Sequence, residues 1–306
     1  MRRRWPSRRR TESDSTAWRL QREVVLLLAW GPAILLQVAH PLVARGIADH
    51  SRFRDPRGRM RRLRRTLDVM IRLSFGSEPE ARAALARINA IHDRVSGELP
   101  EEAGAFAAGT RYSAHDPALL AWVHATLLDM NLRVYELYVQ RLTVEEKDHY
   151  CAEASAIEES LGIPEGRLPR NFRELGQYLE RMYASGQIVV TDTARTLARA
   201  VIYPPVPFIA RPVTSLSRLT AFGLLPPTIR QAYGFSWTSR NERALRLSAG
   251  LIRRILPLLP PIVRHWRAAR RVGSRAGLVG LTGPRRSPPQ NGDFDSQTGQ
   301  LRSTGG

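Results

Sequence analysis

The chain has 306 residues, 43% of them hydrophobic and 25% charged, which is enough apolar content to bury a large core and too much to leave the body unfolded. Its formal net charge is +19, carried by arginines spread along the chain apart from the single lysine Lys147, so the charge argues for solubility and attraction to anions rather than for a specific nucleic-acid site. The one cysteine, Cys151, excludes an intrachain disulfide, a CxxCH haem attachment and a cysteine-based zinc site, and it fits a reducing cytoplasm.

Residues 1–15 hold paired arginines, but the acids of "TESDSTAWRLQRE" separate them from the first apolar run. This part reads as a disordered basic arm rather than a signal. The run Val24–Ala39 is short for a membrane span and is interrupted by Gly31-Pro32, so it reads as two buried helical pieces. His40 precedes Pro41 and is expected to be extended at a helix end. A helix covers "RGRMRRLRRTLDVMIRLSFG", with Met60, Leu63, Leu67 and Met70 as its buried stripe. Beside that stripe Arg62, Arg65 and Thr66 share a face at i, i+3 and i+4, a grouping that suits carboxylates or other anions; a solvated basic face is the plainer reading.

Ser77-Glu-Pro-Glu80 is a capping signal for a helix over residues 79–96, with Gly97 as its stop. Ala84, Leu85, Ile88, Ile91 and Val95 form the stripe of that helix, and His92 lies within it. A buried neutral imidazole there serves either as a hydrogen-bonded core group or as a metal ligand. Asp116-Pro117 opens a long helix toward Tyr138, and His124 shares an apolar face with Leu120, Val123, Leu127 and Asn131. Residues 203–227 are rich in proline and predict irregular connections or short helices. Ser239-Arg-Asn-Glu242 predicts another capping box. "LIRRILPLLPPIVRHWRAARR" alternates leucine and isoleucine with arginine; packing on the domain with arginines in solvent is its plainer reading, and resting on a membrane surface the other. From about Gly273 periodicity is lost and residues 272–306 read as a disordered tail. The body, residues 16–271, reads as one all-α domain.

No glycine-rich nucleotide loop, HExxH, GxSxG or EF-hand loop occurs. Taken in order, "LLQVAHPLVARGIADHSRF", "RRLRRT", "IHDRVSG", "YSAHDPALLAWVHATLLD" and "GLLPPTIRQAYGFSW" resemble the catalytic-domain family of the rubber oxygenase and the mycophenolic-acid oxygenase, over about residues 18–270. No single one of these motifs is specific; the ordered set is.

The resemblance implies an all-α fold around a non-covalent haem b, with dioxygen and a lipophilic, isoprenoid-type substrate as partners. It points to His92 as the axial ligand and so the protein's ligand to the metal. It places Arg62, Arg65 and Thr66 at the haem pocket, with His40 among the cofactor-binding residues. Two departures stand out. The rubber oxygenase has a lysine before the threonine that can sit at the distal iron position; here it is Arg65, which stays protonated and offers no lone pair. The glutamate expected upstream is missing, since none lies between Glu23 and Glu78; Asp49 and His50 are nearest, and His50 is the candidate acid–base group beside Arg62 and Thr66. Two other readings remain. An HD-type divalent-metal phosphohydrolase would use His50, His92, Asp93 and Asp129, although adjacent helical residues point about 100° apart. A non-catalytic haem-binding or arginine-rich module is the third.

Overall fold

The computed structural model describes residues 15–50, 56–204 and 208–271. The expected basic arm and tail fall outside these apart from Ser15, which caps the first helix. The architecture is all-α, with one two-stranded sheet of three residues a side. Its centre is α6 (Pro117–Tyr138), opened as the sequence predicts: the Asp116 side chain accepts from the Ala118 N–H at 2.8 Å and Pro117 holds the first position, where no N–H is needed. Thirteen of its residues are buried, so it is apolar nearly all round and every face needs a partner.

Those partners come from both ends of the chain. A short helix α1 (Thr16–Gln21) leads into a 3₁₀ segment (Val24–Ala29) and then α2 (Trp30–Val38). The apolar run therefore does form two buried pieces. The break falls before Trp30, and Gly31-Pro32 sit inside the first turn of α2, where proline costs no hydrogen bond. Helix α3 (Pro41–His50) turns by 105° from this pair. No single helix among the described residues is long and apolar enough to cross a membrane. The Tyr233 hydroxyl donates to the Leu35 carbonyl at 2.7 Å, tying α2 to the far end of the chain.

Helices α4 (Pro56–Phe75) and α5 (Glu78–His92) form an antiparallel hairpin. The capping box at its turn is as read: the Ser77 N–H donates to the Glu80 carboxylate at 2.8 Å. The end of α5 is not. It stops at His92, and Val95 belongs to the entry of a hairpin, β1 (Ser96–Glu98) against β2 (Arg111–Ser113). Gly97 is thus a strand residue facing Tyr112, not a helix stop; a Cβ there would lie 2.5 Å from the Tyr112 hydroxyl. His40 sits at the bend between α2 and α3 with its carbonyl accepting from the Ala44 N–H, so it starts α3.

The remaining helices are α7 (Val144–Ser155), α8 (Glu158–Leu161), α9 (Phe172–Ala184), α10 (Asp192–Ile202), α11 (Arg211–Leu224), α12 (Pro227–Ala232), α13 (Ser239–Ile255) and α14 (Pro261–Arg264); α7, α9 and α13 pack on α6, and α10 and α11 on α2. Helix α11, of 14 residues, is longer than the irregular connections or short helices expected there; Pro212 occupies its first turn, where proline starts a helix rather than breaking one. The cap of α13 is Thr238, one residue earlier than expected, with Asn241 completing the box. The C-terminal apolar and basic segment breaks at Pro257 and Pro260 instead of continuing as one helix.

Candidate functional site

Three pieces of chain meet at one end of the α4–α5 hairpin. From the turn at Gly76-Ser77 both helices rise about 1.5 Å per residue, so Arg62 lies level with Ile91 and His92, and Thr66 with Arg87. The Arg72–Glu80 contact at 3.8 Å fixes that register. The end of α3 joins them through Ser96, whose carbonyl accepts from His50 Nε2 at 3.1 Å, and through Gly46 packed on Val95. The backbone of Arg62 lies in α4, but its side chain falls outside the described residues, as do those of Met60 and Leu63. Arg65 and Thr66 are exposed on the same helix.

His92 is half-buried at the last position of α5, and its Nδ1 is buried with no hydrogen-bond partner among the described residues. The stripe around it is not uniformly sealed: Ala84 and Leu85 are buried, whereas Ile91 is 58% exposed. The His92 ring meets His115 edge-on at 5.7 Å, and His115 Nε2 lies 2.7 Å from Asp93. Burial holds the His92 pKa below its usual value, and His115 lowers it further against a smaller opposing pull from Asp93. The imidazole is therefore neutral at pH 7, with a lone pair to give.

His50 donates from Nε2, because a carbonyl oxygen faces that nitrogen, which leaves Nδ1 as a proton acceptor. Its neighbour Asp49 is committed, accepting from Tyr112 at 2.6 Å and from Arg45 at 2.7 Å. His40 lies deeper, buried at the α2–α3 bend with its ring 5.1 Å from Phe106 and its Nδ1 unpartnered. Burial brings its pKa down to about 4, opposed by the Gln187 side chain and by Asp116. His124 on α6 also has an unpartnered buried nitrogen, and burial takes its pKa to about 4 against the pull of Glu158. The start of α6 is the shared landmark: His40 feels Asp116, and His92 touches the adjacent His115.

Acid sensitivity follows from these environments. A histidine whose folded pKa lies near 4 binds fewer protons than its unfolded form between about pH 6.5 and 4. Stability is then complete above pH 6.5 and falls as pH drops through that window. For buried His40 the loss amounts to about 3 kcal/mol by pH 4. Urea midpoints at pH 7 and 4.5 should differ accordingly, and His40→Gln should narrow the gap; an equal gap in both proteins would remove His40 as a cause.

A cleft runs along the other part of α4. Leu67, Met70, Ile71, Ser74 and Phe75 face Leu26, Leu27 and Trp30, with Gln21, Asn131 and Trp266 completing a shallow cleft that is open to solvent. The predicted stripe residues Leu67 and Met70 line this cleft instead of being sealed in a core. Trp266 reaches it because its N–H donates to the Arg22 carbonyl, which pins the end of the chain beside α1. Sequence reasoning missed the cleft, since its walls come from four separated stretches.

The family model for the catalytic domain of the ER-bound oxygenase mpaB/B'/rubber oxygenase matches residues 18–254, well over half of the chain. The chain belongs to that family. No curated protein and no solved structure matches it. The matched region of this oxygenase-family domain takes in α1 to almost the end of α13, and with them the His92 end of the hairpin and most of the cleft wall. Among its described residues no three histidine, cysteine or acidic side chains stand together as a metal-holding group. Asp129, needed by the phosphohydrolase reading, is instead bonded to Arg133 through both carboxylate oxygens at 2.8 Å.

Proposed function

We propose that this protein is a haem b-dependent oxygenase acting on a lipophilic, isoprenoid-type substrate with dioxygen. The observation that carries the reading is His92: a neutral imidazole whose buried Nδ1 has no partner among the described residues, in the motif "IHDRVSG" that the sequence resemblance points to for the axial ligand. A haem iron asks for only one or two protein ligands because the porphyrin supplies four, so a lone histidine suffices where a bare divalent ion would need a cluster. Ile88 and Val95, half-buried close to His92 in the chain, and the arginines of α4 would suit a macrocycle with anionic propionates. When bound, the haem would supply the redox chemistry with dioxygen, which no side chain here can perform.

The protein's own groups would divide the remaining work. His92 would hold the iron. Arg62 and Arg65 offer permanent positive charge on α4, the first level with His92 and the second one turn away. Thr66 offers a hydroxyl next to Leu67, where the cleft begins, and the apolar wall of the cleft would orient an oily chain. His50, with Nδ1 free to accept, stands as the group that takes or returns a proton. His40, buried behind Phe106, supports the fold of this end, and its open Nδ1 is its only means of reaching a propionate.

The absorption spectrum of the purified protein tests the reading. A Soret band is expected; colourless protein carrying stoichiometric divalent metal would overturn it. Arg65 makes the finer prediction. Because its guanidinium keeps its proton, the ferric spectrum should lack a nitrogenous sixth ligand, and Arg65→Lys should introduce one as a low-spin species. A wild-type spectrum already six-coordinate through nitrogen would refute the role given to Arg65.

A further inference from the structure

The outer face of α13 is covered by none of the other described residues. Its inner face buries Leu245, Ala249 and, in the next turn, Leu256 against α11 and α6. At three- and four-residue steps on the opposite side stand Leu247, Leu251, Ile255 and Leu258, exposed by 74%, 57%, 43% and 81%. The strip continues onto α14 with Ile262 and Val263, also exposed. A soluble helix normally turns its polar side outward; here both sides are apolar.

The polar residues on this outer face are of one sign. Arg240, Arg243 and Arg254 are exposed alongside the leucines, and no carboxylate among the described residues pairs with them. Glu242, the acidic residue of α13, points aside, bonded to Trp237 and paired with Arg246. Long arginine stems can lie along an apolar surface while their heads reach outward, the arrangement that meets phosphate headgroups above buried hydrocarbon.

We infer that the face formed by α13, the 3₁₀ turn Leu256–Leu258 and α14 docks on an anionic lipid membrane. An apolar ridge explains the leucines, and negative headgroups explain arginines without acids. Trp266, which closes one side of the cleft, follows Val263 by three residues, so a docked ridge sets the cleft beside the lipid. The inference stands independently of the cofactor, because it rests on the exposed face alone.

The test is co-sedimentation of the full chain with vesicles of phosphatidylcholine containing phosphatidylglycerol, and with phosphatidylcholine alone. Binding is expected to the first and much less to the second. The double variant Leu247→Glu/Leu251→Glu should bind roughly tenfold less or weaker still, with helix content unchanged by circular dichroism. Leu258→Asp, in the 3₁₀ turn, serves as a second variant should the first misfold. No sedimentation of the wild type would overturn the inference. So would undiminished binding by both variants, which would assign the lipid contact to the basic N-terminal residues. A wild-type dimer that the variants dissociate, without vesicle binding, would give the face to a second copy and overturn it as well.

Discussion

His92→Ala is expected to abolish the Soret band of the purified protein while leaving its helix content and urea midpoint close to the wild-type values. Two features separate these effects. The side chain ends a helix and is half-exposed, so its removal empties little core, and alanine is a better helix former than histidine. Its Nδ1 has no partner among the described residues, so no hydrogen bond to them is lost there. Partners one step from a metal typically change its affinity by about 10–100-fold, and loss of the ligand itself should exceed that. His92→Gly with added imidazole should restore part of the band, which a merely structural histidine would not allow. A variant that keeps full haem content would transfer the ligand role, and His124, with its own unpartnered buried nitrogen, would be next to examine.

The largest effect on stability is expected at Glu23. Its carboxylate is 1% exposed and binds Arg264 through Nε and Nη2 at 2.7–3.1 Å, with His265 Nε2 at 3.3 Å and Arg22 Nε at 3.9 Å. The pair joins residues 241 positions apart and fastens the end of the described chain to its start. Removing one member of a buried pair leaves the other charge without compensation, at a cost of roughly 3–5 kcal/mol; Arg264 keeps 21% exposure, which puts Glu23→Ala near the lower figure. Glu23→Gln keeps the shape and some hydrogen bonding and should cost less. Urea denaturation measures both, and a loss under about 1 kcal/mol would class the pair with ordinary surface bridges.

The fold was legible where local chemistry decides it. Asp116-Pro117 and Ser77 with Glu80 start helices by satisfying their own N–H groups, and the structure has both. The end of α5 was not legible, because Val95 continues the apolar spacing while the chain has already left the helix for a hairpin. Strands of three residues carry no periodic signal, and what holds β1 is Tyr112, reached from Gly97 only across the sheet. The same gap hid α11: prolines mark turns on average, yet Pro212 occupies a first turn. At the site, His92 and the neighbouring motifs were readable as an ordered set, but the contact of His92 with His115 and the meeting of His50 with Ser96 join separate elements and needed the structure.

Among the described side chains of α4 only Phe75 is buried, although the helix spans 20 residues; its apolar stripe borders the cleft instead. The part of α4 whose side chains are described has little sealed area, so what fills the cleft beside it should add to its stability. Its backbone amides should therefore exchange with deuterium well ahead of those of α6, and a molecule seated in the cleft should slow them in proportion to its affinity and concentration. Amide exchange in α4 thus becomes a direct meter for ligands, readable without turnover and before any product is known.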